Sequence, residues 1–280
     1  MYHNLSDYMS LSVALIVFMF GAAIGSFLNV VVLRHEAGKK LTGRSMCPHC
    51  GRQLSWHELV PIVSWLWQRG RCRGCDARIS CQYPLVEFAT AVLFILVYAQ
   101  FSAVLAACTG GACVVHSALF VTVLVIWATL VVITVYDLRT KLIPNVFSFT
   151  LIGAAAILYG LHLYTGVEFS WWHIAAGPLF YLPYWILWKV SDGRWIGLGD
   201  AKLSWGIGWF LGLSLGGSAI LYGFWIGALC SLLLMGAQRL VERSRALGLT
   251  SEVPFGPYLV LGTAIAYFFQ LDLFAWLLAW

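Results

Sequence analysis

Polar residues are scarce along this chain, and they gather in short breaks between long apolar runs. A helix needs about 20 mainly apolar residues to cross a bilayer. Runs approaching that length fall at 11–33, 86–106, 117–136, 146–164, 172–190, 203–216, 218–237 and 257–278. The pattern predicts an all-α polytopic membrane protein with about eight transmembrane helices. The sixth run is short and rich in glycine. Only one polar stretch is long, which divides the chain into a first transmembrane helix (1–33), a loop (34–85) and a larger transmembrane domain (86–280).

Composition agrees with this reading. Of the 280 residues, 61% are hydrophobic and 10% are charged, whereas soluble domains carry about a quarter charged residues. The net charge of +5 would suit a nucleic-acid partner only if the basic residues shared one surface. They do not. The 17 Lys and Arg fall as nine in the loop 34–85, two at Arg139 and Lys141, three at Lys189, Arg194 and Lys202, and three at Arg239, Arg243 and Arg245. With eight spans and both termini outside, every group lies on the cytoplasmic side, as the positive-inside rule requires. Seven spans would put the last group across the bilayer. The charge therefore reports topology in a lipid bilayer and predicts no nucleic acid. Met1 to Ser10 contains no Lys or Arg, so a cleaved secretory signal is not expected.

The loop 34–85 contains Cys47-Pro-His-Cys50 and Cys72-Arg-Gly-Cys75, with 21 residues between the two knuckles. That spacing matches the four-cysteine zinc ribbon, in which four thiolates close a tetrahedral site. So small a loop has little apolar core and needs such a staple. Free or redox-active thiols are the competing reading. A closed Zn²⁺ site leaves no position for substrate, so its role is structural. His49 is expected to be exposed and not a ligand. Cys108 and Cys113 flank a short outer loop, where a small disulfide can form. Cys230 is expected to be a buried apolar residue.

Two acids stand at span boundaries. Asp137 ends the third run, where the helix dipole disfavours an anion, and a simple ion pair with Arg139 or Lys141 is the plain alternative. Asp200 lies in Gly197-Leu-Gly199-Asp200-Ala-Lys202, ahead of the sixth run. Its plain reading is an N-cap. By parity both acids reach the cytoplasmic side at similar depth. Two such carboxylates can share a proton and activate a water between them, as the aspartic-protease pair does. The helix dipoles favour Asp200 as the ionised member and Asp137 as the acid. Pro144 suits the first turn of the fourth span.

With these residues in view, the chain resembles the type IV prepilin peptidases. The resemblance rests on Gly25-Ser-Phe-Leu-Asn29 with Arg34, the two cysteine knuckles, Gln82-Tyr-Pro-Leu-Val-Glu87, Asp137 with Pro144-Asn145, Gly197-x-Gly199-Asp200, and Pro254-Phe-Gly-Pro257. It implies a Gly-x-Gly-Asp aspartic endopeptidase of the bacterial inner membrane with its active site facing the cytoplasm. Such enzymes remove basic leader peptides after a glycine from prepilins or type II secretion pseudopilins. Members with the cysteine loop also N-methylate the new N-terminus using S-adenosylmethionine. The resemblance places catalysis on Asp137 and Asp200, zinc on Cys47, Cys50, Cys72 and Cys75, and makes 86–280 the peptidase domain. Gly197, Gly199, Lys202 and Glu87 become supporting residues, the glycines as clearance for a scissile peptide. Glu87 has helix capping as its alternative. Asn29 and Gly25 read as helix-packing residues, and Trp171 and Trp172 as interface belts. No residues for the methyl donor are identifiable.

A transporter is the rival class, because acids in membranes often mark ion paths. It predicts acids at mid-span and an internal repeat, and neither is present. A zinc-ribbon assembly factor without chemistry is the other rival, and it would tolerate loss of both acids.

Overall fold

The computed structural model describes residues 11–241 and 254–278. The expectation for Met1 to Ser10 and the basic residues Arg243 and Arg245 lie outside the described residues, as does the side chain of Arg239. The helices are α1 (Leu11–Glu36), α2 (Val63–Trp67), α3 (Gln82–Ala107), α4 (Gly111–Thr140), α5 (Asn145–Tyr164), α6 (Trp171–Ser191), α7 (Leu198–Leu211), α8 (Leu213–Val241), α9 (Gly256–Phe269) and α10 (Leu273–Leu278). No strand forms among the described residues; two isolated antiparallel bridges pair Met46 with Gln53 and Arg71 with Arg78. The all-α expectation holds because a helix satisfies its backbone internally, which apolar surroundings demand. Among the described residues, five helices (α1, α3, α4, α5 and Leu213–Gly236 of α8) are long and apolar enough to cross a membrane.

The chain forms two compact units that meet in sequence at Val132 and Ile133, inside α4. In the first, α1 packs along α3 through small residues. A Cβ on Gly21 would lie 2.7 Å from Ala91 Cα, and one on Gly25 would lie 2.7 Å from Glu87 Cα. Small residues four apart let two backbones approach where no hydrophobic force distinguishes helix from lipid. Asn29 locks the crossing by donating to the Tyr83 carbonyl and accepting from Gln82, each at 3.3 Å. Phe120 of α4 packs on Tyr98 and Phe101 of α3, and a Cys108–Cys113 disulfide closes the turn between these helices.

In the second unit α7 is the central helix. Leu203, Ser204, Gly206 and Ile207 are buried, with Gly206 against Leu151 of α5 and Gly208 against the Ala176 carbonyl of α6. Two boundaries differ from the sequence reading. Hydropathy predicts the sixth span at 203–216, but α7 runs 198–211 and stops at Gly212, whose φ of 78° ends the helix. The last span, expected as 257–278, is divided into α9 and α10 at Gln270, which adopts a left-handed conformation. Asp192 closes α6 in the same conformation. Cys230 is only half-buried. Trp171 and Trp172 are exposed at the start of α6.

The α1–α3 crossing yields a contrast. Gly25→Val is expected to destabilise the protein by about 1–3 kcal/mol through overpacking. Gly153→Ala, in α5 with open space around it, should leave stability unchanged or slightly raised. Thermal unfolding in detergent reads both.

Candidate functional site

Asp137 sits in the last turn of α4 and Asp200 in the first turn of α7, both within the second unit. The two carboxyl groups are 4% and 9% exposed as residues and close enough to repel one another electrostatically. Asp137 Oδ2 accepts the backbone N–H of Gly256 at 3.0 Å. This contact joins residues 119 apart, and it gives Gly256 a role that the sequence motif around Pro254 left unassigned. A Cβ on Gly256 would lie 2.8 Å from the same oxygen. Only glycine lets the amide approach.

Asp200 is not the N-cap that its plain reading predicted. Gly197 takes that position in extended conformation, and Asp200 lies three residues on. Its carboxylate instead turns back beside Gly197, with Oδ2 3.3 Å from where a Gly197 Cβ would lie. The helix starts earlier than the apolar run because Leu198 and Gly199 already have helical geometry. The space beside Gly199, read as clearance for substrate, is taken by Ile143: a Cβ on Gly199 would lie 2.7 Å from the Ile143 Cβ. Ile143 also approaches Gly256, so one side chain of the α4–α5 connection touches both aspartate loops. Pro144, expected in the first helical turn, is the N-cap of α5 instead. Next to it, Asn145 accepts from Lys202 Nζ at 2.6 Å, and the same ammonium lies 5.7 Å from the Phe149 ring.

Sequence reasoning missed Tyr184. It lies on α6 with no motif around it, yet it sits close to Ser204, one turn after Asp200, and its ring packs on Phe255. Nothing in its spacing distinguished it from the other aromatic residues of α6.

The first unit holds a separate constellation. The Sγ atoms of Cys47, Cys50, Cys72 and Cys75 all lie within 4.8 Å of one another. Cys47 and Cys75 are 3.9 Å apart, close to the ~3.8 Å edge of a tetrahedron with 2.3 Å metal–sulfur bonds. The knuckles share one backbone frame. The N–H of Gly51 returns to Cys47 O and that of Asp76 to Cys72 O, while Cys47 and Cys72 donate to Arg52 O and Ala77 O. Gly51 and Asp76 are both left-handed. Backbone N–H groups of Gly74 and Cys75 donate to Cys72 and hold its thiol below the usual range, toward the metal-binding thiolate. His49 is exposed, as expected. The donor set fits a four-coordinate metal.

Glu87 is not a helix cap: Cys81 holds that place, and Glu87 lies in the second turn of α3. Its carboxylate accepts the Ile62 N–H at 2.6 Å. Beside the knuckles, Glu58 pairs with Arg52 at 2.6 Å and accepts from the N–H and hydroxyl of Ser55.

Two family models match the chain: "Bacterial Peptidase A24 N-terminal domain" over residues 19–101 and "Type IV leader peptidase family" over residues 123–232. A prepilin leader peptidase/N-methyltransferase of Bacillus subtilis is 32% identical, covering 91% of this chain and 93% of its own. One of Aeromonas hydrophila is 30% identical over 94% and 93%. A type 4 prepilin-like proteins leader peptide-processing enzyme of Escherichia coli is 31% identical over 89% and 91%. No solved structure matches the chain.

The Arg52–Glu58 pair makes a pH prediction. Although burial pushes Glu58 upward, its bonds from Arg52 and Ser55 draw the carboxyl from 4.5 down to about 2. A depressed carboxyl stabilises the fold above its unfolded pKa and loses that effect as pH falls through the folded value. The gap in thermal midpoint between wild type and Glu58→Gln should therefore be constant above about pH 5 and shrink toward pH 2.

Proposed function

Because the chain belongs to the type IV leader peptidase family, we propose that it is a membrane endopeptidase in which Asp137 and Asp200 activate water. The observation that supports this most directly is the pair of buried carboxylates in mutual electrostatic reach at two helix ends. Two like charges so placed hold one proton between them. One carboxylate takes a proton from water, whose oxygen attacks the scissile carbonyl carbon. The other gives its proton to the departing amine nitrogen. Asp137 accepts the Gly256 N–H, and Asp200 Oδ2 lies beside Gly197. The base and acid roles belong to the pair as a unit, since coupled groups titrate together.

The substrates are prepilins or pseudopilins with basic leader peptides, cut after a glycine at the cytoplasmic face of a bacterial inner membrane. Relatives named for prepilin processing support the substrate class. The basic loops that the eight-span reading gathers on one side support the orientation. In this reading the first transmembrane helix falls within segment 1–33, the zinc-ribbon loop is 34–85 and the peptidase domain is 86–280. Lys202, held by Asn145, and the glycines 197 and 199 shape the Asp200 turn. Relatives named as N-methyltransferases support a second step. There the new N-terminal amine takes a methyl group from S-adenosylmethionine and loses a proton.

The four cysteines would hold Zn²⁺ in a closed tetrahedron, which contributes folding energy and leaves no open coordination position. Purified protein should contain stoichiometric zinc, and Cys47→Ser or Cys72→Ser should lose it, read by elemental analysis.

The decisive assay mixes purified protein in detergent with a prepilin-like substrate. Asp137→Asn and Asp200→Asn should each lower cleavage by at least about 10³-fold, on the scale of lost general acid–base catalysis, with folding and zinc retained. Full activity in either variant would sink the proposal. With labelled S-adenosylmethionine present, the wild-type product should carry label at its N-terminus.

A further inference from the structure

Among the described residues of the first unit, the ribbon loop bears apolar surface that its knuckles, α1 and α3 leave exposed. In α2, Val63, Leu66 and Trp67 are 54%, 62% and 78% exposed. Their spacing of three and four residues puts them on one face of the helix. Trp65 points the other way: its indole N–H donates to Ile79 O at 3.2 Å, and its ring packs over Gly70. Trp56 and Leu59, just before α2, are exposed too, and exposed Arg69 follows it. The helix is therefore amphipathic in reverse, with its indole clasp toward the ribbon and its larger apolar face outward.

What covers that face follows from where α2 is tied. Ile62, its N-cap, donates its N–H to the Glu87 carboxylate in the second turn of α3. At 1.5 Å per residue α3 is about 39 Å long against roughly 30 Å of hydrocarbon, which leaves roughly 9 Å to share between its two ends. Glu87 is about 7.5 Å from the start of the helix. The bond to Ile62 thus holds α2 at the level where hydrocarbon gives way to headgroups. The exposed apolar side chains of α3 begin at Leu85 and Phe88, at the same level. Ile62 is held with φ 64° and ψ −55°, a conformation a β-branched residue adopts only under constraint. The Val63 N–H closes a tight turn across it onto Pro61 O at 2.6 Å, and the Glu87 bond ties that turn to α3. Exposed tryptophan with a neighbouring arginine is the composition of the membrane interface, where the indole sits among headgroups and the guanidinium reaches the phosphates.

We propose that α2 is an interfacial anchor, with Val63, Leu66 and Trp67 bedded in the lipid headgroup region and the zinc ribbon held against the bilayer by the Glu87–Ile62 bond. The inference needs only that α1 and α3 cross a bilayer, and it is independent of the peptidase reading.

The test uses the full chain in nanodiscs, with the photo-reactive residue p-benzoylphenylalanine at position 63, 66 or 67, and at the exposed position 49 in the first knuckle. After irradiation, mass spectrometry of the intact protein should show several-fold more lipid adduct at each α2 position than at position 49. Three positions guard against one that disturbs folding. Absence of lipid adduct at all three overturns the proposal. Crosslinks between two protein chains at these positions also overturn it, since they assign the face to a second copy. Equal lipid adduct at position 49 overturns it as well, because the whole ribbon would then lie on the membrane without a dedicated anchor.

Discussion

A carboxylate withdrawn from water has to be given a hydrogen-bond donor, and both units of this protein are built around one such obligation. In the first unit Glu87 of α3 takes the N–H of Ile62. In the second Asp137 of α4 takes the N–H of Gly256. Each time a backbone amide from a loop, and not a cation, meets the charge. An amide supplies a dipole without cancelling the charge, so the carboxylate keeps its capacity to exchange a proton. It also fixes a loop to a helix at one point. The position of α2 against α3, and that of the Gly256 turn against Asp137, follow from these two bonds.

The close crossings around these bonds are possible because the crossing residues lack side chains. Gly21 and Gly25 admit α3, Gly206 admits Leu151, and Gly256 admits the Asp137 carboxylate. Packing of this kind suits helices in lipid, where association rests on contact and hydrogen bonds. Gly199 shows the same economy turned inward. Its vacant side is filled by Ile143, so the Asp200 turn is braced by the chain that leads out of the Asp137 helix.

Much of this was legible beforehand because the signals are strong and local. Apolar length locates the five membrane-length helices to within about six residues at either end, and the Cys-x-x-Cys spacing announces the four-cysteine cluster. The positions of Asp137 and Asp200 at span ends were visible from the polar breaks. What the sequence concealed depends on long-range approach. Hydropathy placed the sixth span five residues late, because Leu198 to Ala201 begin a helix before the apolar run becomes continuous. It could not reveal that Gly256 faces Asp137, since the two are 119 residues apart. Tyr184 was invisible among the other aromatics of α6. Its proximity to Ser204 depends on the tight seat of α7 against α6, set by Gly208 at the Ala176 carbonyl.

The duplicate frame of the two knuckles has an electrical consequence. Each turn presents two sulfurs with the same backbone geometry, and together they bring four ionisable thiols within 4.8 Å. Four negative charges that close together would drive the turns apart, while four protonated thiols give them little reason to meet. If the cluster holds zinc as proposed above, the loop would be closed by an ingredient the polypeptide does not encode. The abundance of that ion in the cell would set how much of the ribbon is folded at any moment.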